Sequence, residues 1–156
     1  MVMKLRNPPR IKVLEALGCI ADRRIIILDD NRAKVVSSDG SREYHVYVDL
    51  QRSAVYSDDN GTKLRGYVGY PIIAFLMIKG VLPYDEILAK ALTGIPWKKL
   101  NEEYKSYSVV ETMVKNTIKQ RGADLKLLDP FVNNVMMRLS KLSLIYDPSL
   151  EKVVHS

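Results

Sequence analysis

Two histidines, one cysteine and two pairs of adjacent acids are the side chains through which this 156-residue chain could do chemistry. Histidine changes charge near neutral pH, so His45 and His155 are where a general base, a phosphate contact or a charge switch would begin. His155 falls in a tail predicted to be loose from Asp147 onward. That leaves His45, between Tyr44 and Val46, for any Ser–His–Asp arrangement, and its place on a strand reads as an exposed surface position. Cys19 ends an apolar helical pattern. Arg23 and Arg24 follow it, but a small buried hydrophobe fits the pattern better than a reactive thiol, which needs an electropositive, partly open niche. Asp29-Asp30 and Asp58-Asp59 could hold a hard cation such as magnesium. Both lie beside Asn or Asn-Gly, where acids are favoured for turn geometry. Gly66 and Gly69 precede a helix start without the lysine or the spacing of a phosphate loop. The expectation is no catalytic set, no metal and no cofactor: a binding module rather than an enzyme.

Tyrosine is the enriched functional type, nine against two phenylalanines and one tryptophan. Tyr44, Tyr47, Tyr56, Tyr67 and Tyr70 gather around the predicted strands and their exit, interleaved with Arg42, Arg52, Lys63 and Arg65. Rings between cations stack bases and neutralise phosphates. They also make protein interfaces, and tyrosine suits half-buried strands with no further role. All three readings stay open. The net charge of +6 attracts polyanions. Residues 1–52 hold ten Lys/Arg against seven Asp/Glu, residues 53–97 four against four, and residues 98–156 ten against seven. Such an even spread also describes an ordinary solvated surface.

The elements that must position these groups follow from periodicity. Ile11, Leu14, Leu17 and Gly18 predict a short amphipathic helix over residues 10–21. Arg24 to Leu28, Ala33 to Ser37, Arg42 to Asp49 and Ser53 to Ser57 read as strands, with turns at Asp29-Asp30-Asn31, Asp39-Gly40 and Asp58 to Gly61. In the third strand Tyr44, Val46 and Val48 point one way and Glu43, His45 and Tyr47 the other. Residues 24–57 are thus a small antiparallel meander. After Gly69 the pattern turns helical. Pro71 opens a helix apolar on nearly all sides that Gly80 ends, and it should be central. Pro83 starts another helix with Asp85 and Glu86 in its first turn, stopped by Gly94, and Pro96-Trp97 begins a third. Ser108 to Glu111 reads as a capping box for a helix running to Arg121, and Asp129-Pro130 opens the last long helix.

The segment Ala54 to Ala74 resembles the SWIM zinc finger, in which strands carrying Cys-x-Cys lead through a loop to Cys-x-His at a helix start. "AVYSDDN" lies where that family has its first ligand pair and "RGYVGYPIIA" where it has the second; upstream "VVSSDGSREYHVYVD" resembles the family's strands. The resemblance covers about residues 24–80. Val55, Ser57, Gly69 and Pro71 stand at the four ligand positions, and none of them supplies a zinc donor. The resemblance therefore implies a metal-free finger, stabilised by packing of Val55 and the Ile72–Phe75 helix, and a role in DNA or protein binding.

The fold class expected is α+β: a small antiparallel meander packed against a central helix, followed by a C-terminal helical extension. Residues 1–95 form the α+β part and residues 96–156 an extension packed on it. A single cysteine forms no internal disulfide, and the longest apolar run, Pro71 to Ile78, is short of the about 20 residues that span a bilayer. The N-terminal residues lack the apolar stretch of a secretory signal. A cytoplasmic protein with no membrane partner is expected, and scarce glutamine with abundant Ile, Val, Lys and Arg matches heat-adapted proteins. The function expected is self-association or protein assembly through Val110, Met113, Val114, Phe131, Met136 and Met137. The alternative is nucleic-acid binding through Arg42, Tyr44, Tyr47, Arg52, Tyr56, Lys63, Arg65, Tyr67 and Tyr70.

Overall fold

Period-two alternation builds a sheet, and period-3.6 stripes lay helices on it. The computed structural model of the chain describes residues 2–155. Its elements run β1 (Met3–Lys4), α1 (Ile11–Ala21), β2 (Ile25–Ile27), β3 (Arg32–Val36), β4 (Glu43–Asp49), β5 (Ala54–Ser57), α2 (Asn60–Lys63), α3 (Tyr70–Ile78), α4 (Glu86–Ala91), α5 (Trp97–Tyr104), α6 (Tyr107–Gln120), α7 (Leu128–Leu142), β6 (Ile145–Tyr146) and α8 (Glu151–Val154). The fold is α+β with a helical C-terminal region. No helix among the described residues is long and apolar enough to cross a membrane.

The meander β2-β3-β4-β5 is antiparallel throughout, with Val35 opposite Tyr44 and Val46 opposite Ser57. The sheet is larger than the meander. β6 joins β5 in parallel, with Val55 opposite Tyr146, and β1 pairs with β6, giving the order β1-β6-β5-β4-β3-β2. Alternation sends Ala33, Val35, Val46, Val48 and Val55 to the face covered by α3, and all five are fully buried. α3 has no polar side: Pro71 to Met77 are all buried, so it sits centrally with α1 beside it. One apolar cluster runs from Leu5 to Val154 and takes in α6 and α7 through Val110, Val114, Ile118, Val132 and Leu139.

Four local expectations are corrected. The tail is ordered: Pro148–Leu150 forms a 3-10 turn, α8 follows, and Leu150 and Val154 are buried over the outer face of β4 and β5. α6 begins two residues early, because Ser106 rather than Ser108 caps it, its hydroxyl accepting from the Val109 N–H at 3.4 Å. α4 begins at Glu86 because Asp85 is its cap, accepting from the Leu88 N–H at 3.0 Å. The Asp58-to-Gly61 segment is not a bare turn, since Asp59 caps α2.

Candidate functional site

A cavity of about 640 Å³ opens where α1, the β3–β4 hairpin, the α2–α3 connection and α5 converge. That volume is in the range of small-molecule sites. α1 supplies its floor. Lys12 and Glu15 lie one turn apart on the side of α1 facing the cavity, and their charged groups meet at 2.8 Å. Burial pushes the Glu15 carboxyl above its ordinary range, against the pull of the Lys12 ammonium. Burial alone would lower Lys12, yet the Glu15 carboxylate, by charge and hydrogen bond, outweighs it and holds the ammonium above its ordinary range. Lys12 also lies 5.0 Å from the centre of the Tyr107 ring.

The wall from α5 holds Trp97 and Asn101, four residues apart on one helix face, with Lys105 at the left-handed C-cap. Asn101 donates its side-chain N–H to Glu15 at 3.3 Å and leaves its Oδ1 buried with no hydrogen-bond partner among the described residues. Trp97 packs on α1 where Gly18 makes room; a Cβ there would fall 2.7 Å from the indole nitrogen. The Lys98 N–H donates to Ser38 at 2.9 Å, tying α5 to the hairpin.

The α2–α3 connection is held by a buried carboxylate. Asp59 accepts from the Ser57 hydroxyl at 2.5 Å, the Thr62 N–H at 3.0 Å and the Thr62 hydroxyl at 2.9 Å. Thr62 in turn accepts from the Gly69 N–H at 3.0 Å. Burial raises the Asp59 carboxyl while these donors pull it down. A Cβ at Gly69 would lie 2.0 Å from Asp59, and one at Gly61 would lie 2.4 Å from the Tyr67 ring, so both glycines are required by close approach. The network sets the position of Tyr67 and Tyr70 on the cavity wall. Tyr70 meets Tyr44 edge-on with centroids 6.3 Å apart. Burial raises the phenols of Tyr44, Tyr67 and Tyr70, so they stay neutral donors at physiological pH.

Five of the nine residues expected to bind nucleic acid therefore share one cavity: Arg42, Tyr44, Arg65, Tyr67 and Tyr70. The other four do not line it. Tyr56 has no exposed surface and stacks on Tyr146 at 5.9 Å, so it cannot stack on a base. Tyr47 is half-buried on the opposite face, Arg52 pairs with Asp49 at 2.9 Å, and Lys63 is exposed at the end of α2. Lys12, Glu15, Trp97, Asn101, Lys105 and Tyr107 also line the cavity and were not singled out from sequence; the Lys-x-x-Glu spacing on α1 was the available signal.

Of the surface expected to support assembly, Val110 and Val114 are buried within the chain itself. Met113, Phe131 and Met136 are half-buried, the last two against the core, and only Met137 is exposed, at 50%. The apolar stripe of α6 faces inward, against α1, α4 and α5. Cys19 is fully buried, and burial pushes its thiol up to about 12, as a small core hydrophobe should behave. His45 is no lone surface residue: its ring nitrogen lies 3.1 Å from Asp58, and the His155 ring is 4.6 Å away.

The family model for uncharacterised conserved protein UCP014422 matches residues 5–145. The chain belongs to this family. No curated protein and no solved structure matches it. The matched span contains every cavity residue named above, together with His45 and Asp58, and stops short of His155.

Proposed function

We propose that the chain binds a nucleotide unit in this cavity, phosphate on the rim and base among the tyrosines. One observation carries the reading. Arg42, Arg65 and Lys105 line the cavity without an ion-pair partner among the described residues, around a wall that includes Tyr44, Tyr67, Tyr70 and Tyr107. Unpaired cations beside reachable rings are what a phosphate joined to a base requires. Asn101 Oδ1 and the Glu15 carboxylate add acceptors for a base edge. The unit is either free or part of a single strand, since the chemistry is shared. Two of the four finger positions, Ser57 and Gly69, meet at the Asp59–Thr62 network, which supports a metal-free finger as part of this reading. A cytoplasmic setting belongs to it as well.

The test is direct titration. Mononucleotides are followed by calorimetry, and short labelled single-stranded DNA and RNA by anisotropy, at low and moderate salt. Binding should weaken with salt and fall at least tenfold in the Arg42→Ala/Arg65→Ala variant. The Arg52→Ala/Lys63→Ala variant should match wild type. No interaction with any of these probes at low salt would falsify the proposal.

A second reading has its own observation. β2 is one of the two edge strands of the sheet, and Ile26 and Ile27 in it and Leu28 just after it are each 45–49% exposed. An apolar edge strand is a template for pairing with a second copy. Light scattering on wild type and Ile26→Lys settles this: a dimer that the lysine dissolves supports self-association, and a concentration-independent monomer removes it.

A further inference from the structure

We propose that His45, Asp58 and His155 form a site for a divalent transition-metal ion of the zinc type. They sit on the face of β4 opposite the cavity, because His45 and Tyr44 are neighbours on a strand and point to opposite sides. Their donor atoms all lie within 4.8 Å of one another.

The donors suit such an ion. Two imidazole nitrogens and a carboxylate oxygen are borderline ligands that favour zinc and its neighbours over magnesium or calcium. Neutral imidazoles with one carboxylate carry a single negative charge, which a dication offsets. The distances are near what is needed. Metal–ligand bonds of about 2.0–2.1 Å place tetrahedral donors roughly 3.3–3.5 Å apart. His45 and Asp58 already stand at 3.1 Å. The remaining closure falls to His155, an exposed residue just after α8 whose ring can turn.

Two features show the site is held in place. Asp58 Oδ1 accepts the backbone N–H of His45 at 2.7 Å, while Oδ2 faces its ring nitrogen. The carboxylate is thus fixed to the strand whose imidazole it would share with the ion. The two rings meet at 62° rather than stacked flat, and one nitrogen of each lies within 4.8 Å of the other and of an Asp58 oxygen. His45 and Asp58 keep 26% and 23% of their side-chain surface. An ion can therefore enter, and a fourth position is open to water. Bound there, it ties α8 to β4 and β5.

The full chain, stripped with chelator, is titrated with zinc by calorimetry and with cobalt(II) by visible absorption. One ion per chain is expected, with the intense d–d bands of a four- or five-coordinate site. His155→Ala leaves the sheet intact and should weaken zinc binding at least tenfold. Zinc should raise the thermal midpoint of wild type and not of this variant. His45→Ala should abolish the cobalt spectrum. Binding no tighter than millimolar, an octahedral cobalt spectrum, or unchanged affinity in His155→Ala would each overturn the site.

Discussion

Lys12 and Glu15 face each other at 2.8 Å across one turn of α1, with side-chain exposures of only 13% and 5%. A buried pair of this kind adds little net stability over an apolar pair, yet removing one partner leaves the other charge stranded. Lys12→Met should therefore destabilise the chain by about 3–5 kcal/mol. Lys12→Met/Glu15→Leu should recover most of that loss while still altering the cavity floor. Urea unfolding of the three proteins measures both, and equal losses in the single and double variants would show that Glu15 is not a stranded charge once Lys12 is removed.

Asp59 makes a pH prediction. Burial raises its folded pKa above the unfolded value near 3.8, so the native state holds the proton more tightly than the unfolded chain. The stabilisation linked to that proton is fully present below the unfolded value and lost as pH rises through the raised folded one. Asp59→Asn does not titrate. The stability of wild type minus that of Asp59→Asn should fall steadily from about pH 4 upward and then level. Denaturant curves at a series of pH values read this difference. A rise with pH would mean that the hydrogen bonds from Ser57 and Thr62 outweigh burial.

The helical half separates core from surface residue by residue. Val110 has no exposed surface and Met137 is 50% exposed. Val110→Asp places an unpaired charge in the core and should leave no cooperative unfolding transition. Met137→Asp should stay within about 0.5 kcal/mol of wild type. Circular dichroism melts distinguish the two, and a folded Val110→Asp protein would contradict the packing described.

Cys19 offers a chemical test of the same core. Its thiol is pushed up to about 12 by burial, so almost no thiolate exists at mildly alkaline pH. A thiol-reactive dye should leave the native chain unlabelled for hours and label it at once in denaturant. Rapid labelling of the native protein would place the thiol at the surface.

How far these features could be read beforehand follows the range of the signal. The strands β2 to β5 were legible because alternation such as Tyr44, Val46, Val48 is written locally. So was α3, whose unbroken apolar run excludes any exposed face. β1 and β6 are two residues each, too short for a period to register, and they exist only because each finds a partner far along the chain. The order of the tail depends likewise on Leu150 and Val154 meeting a sheet face that no neighbouring residue announces. Five of the residues lining the cavity could be anticipated from tyrosine and arginine near one strand exit. The contribution of α1 and α5 could not, because nothing local says that Glu15 and Asn101 come within 3.3 Å.

The pairing of β1 with β6, and of β6 with β5, has a consequence for biosynthesis. As the chain leaves the ribosome, β2 to β5 can assemble early, but the flank of β5 stays bare until Ile145 and Tyr146 have been made. While residues 58–144 are being made the nascent protein thus presents an open strand to its surroundings. A chaperone that shields such flanks, or slow elongation that prolongs their exposure, should govern how much of this polypeptide reaches its native state.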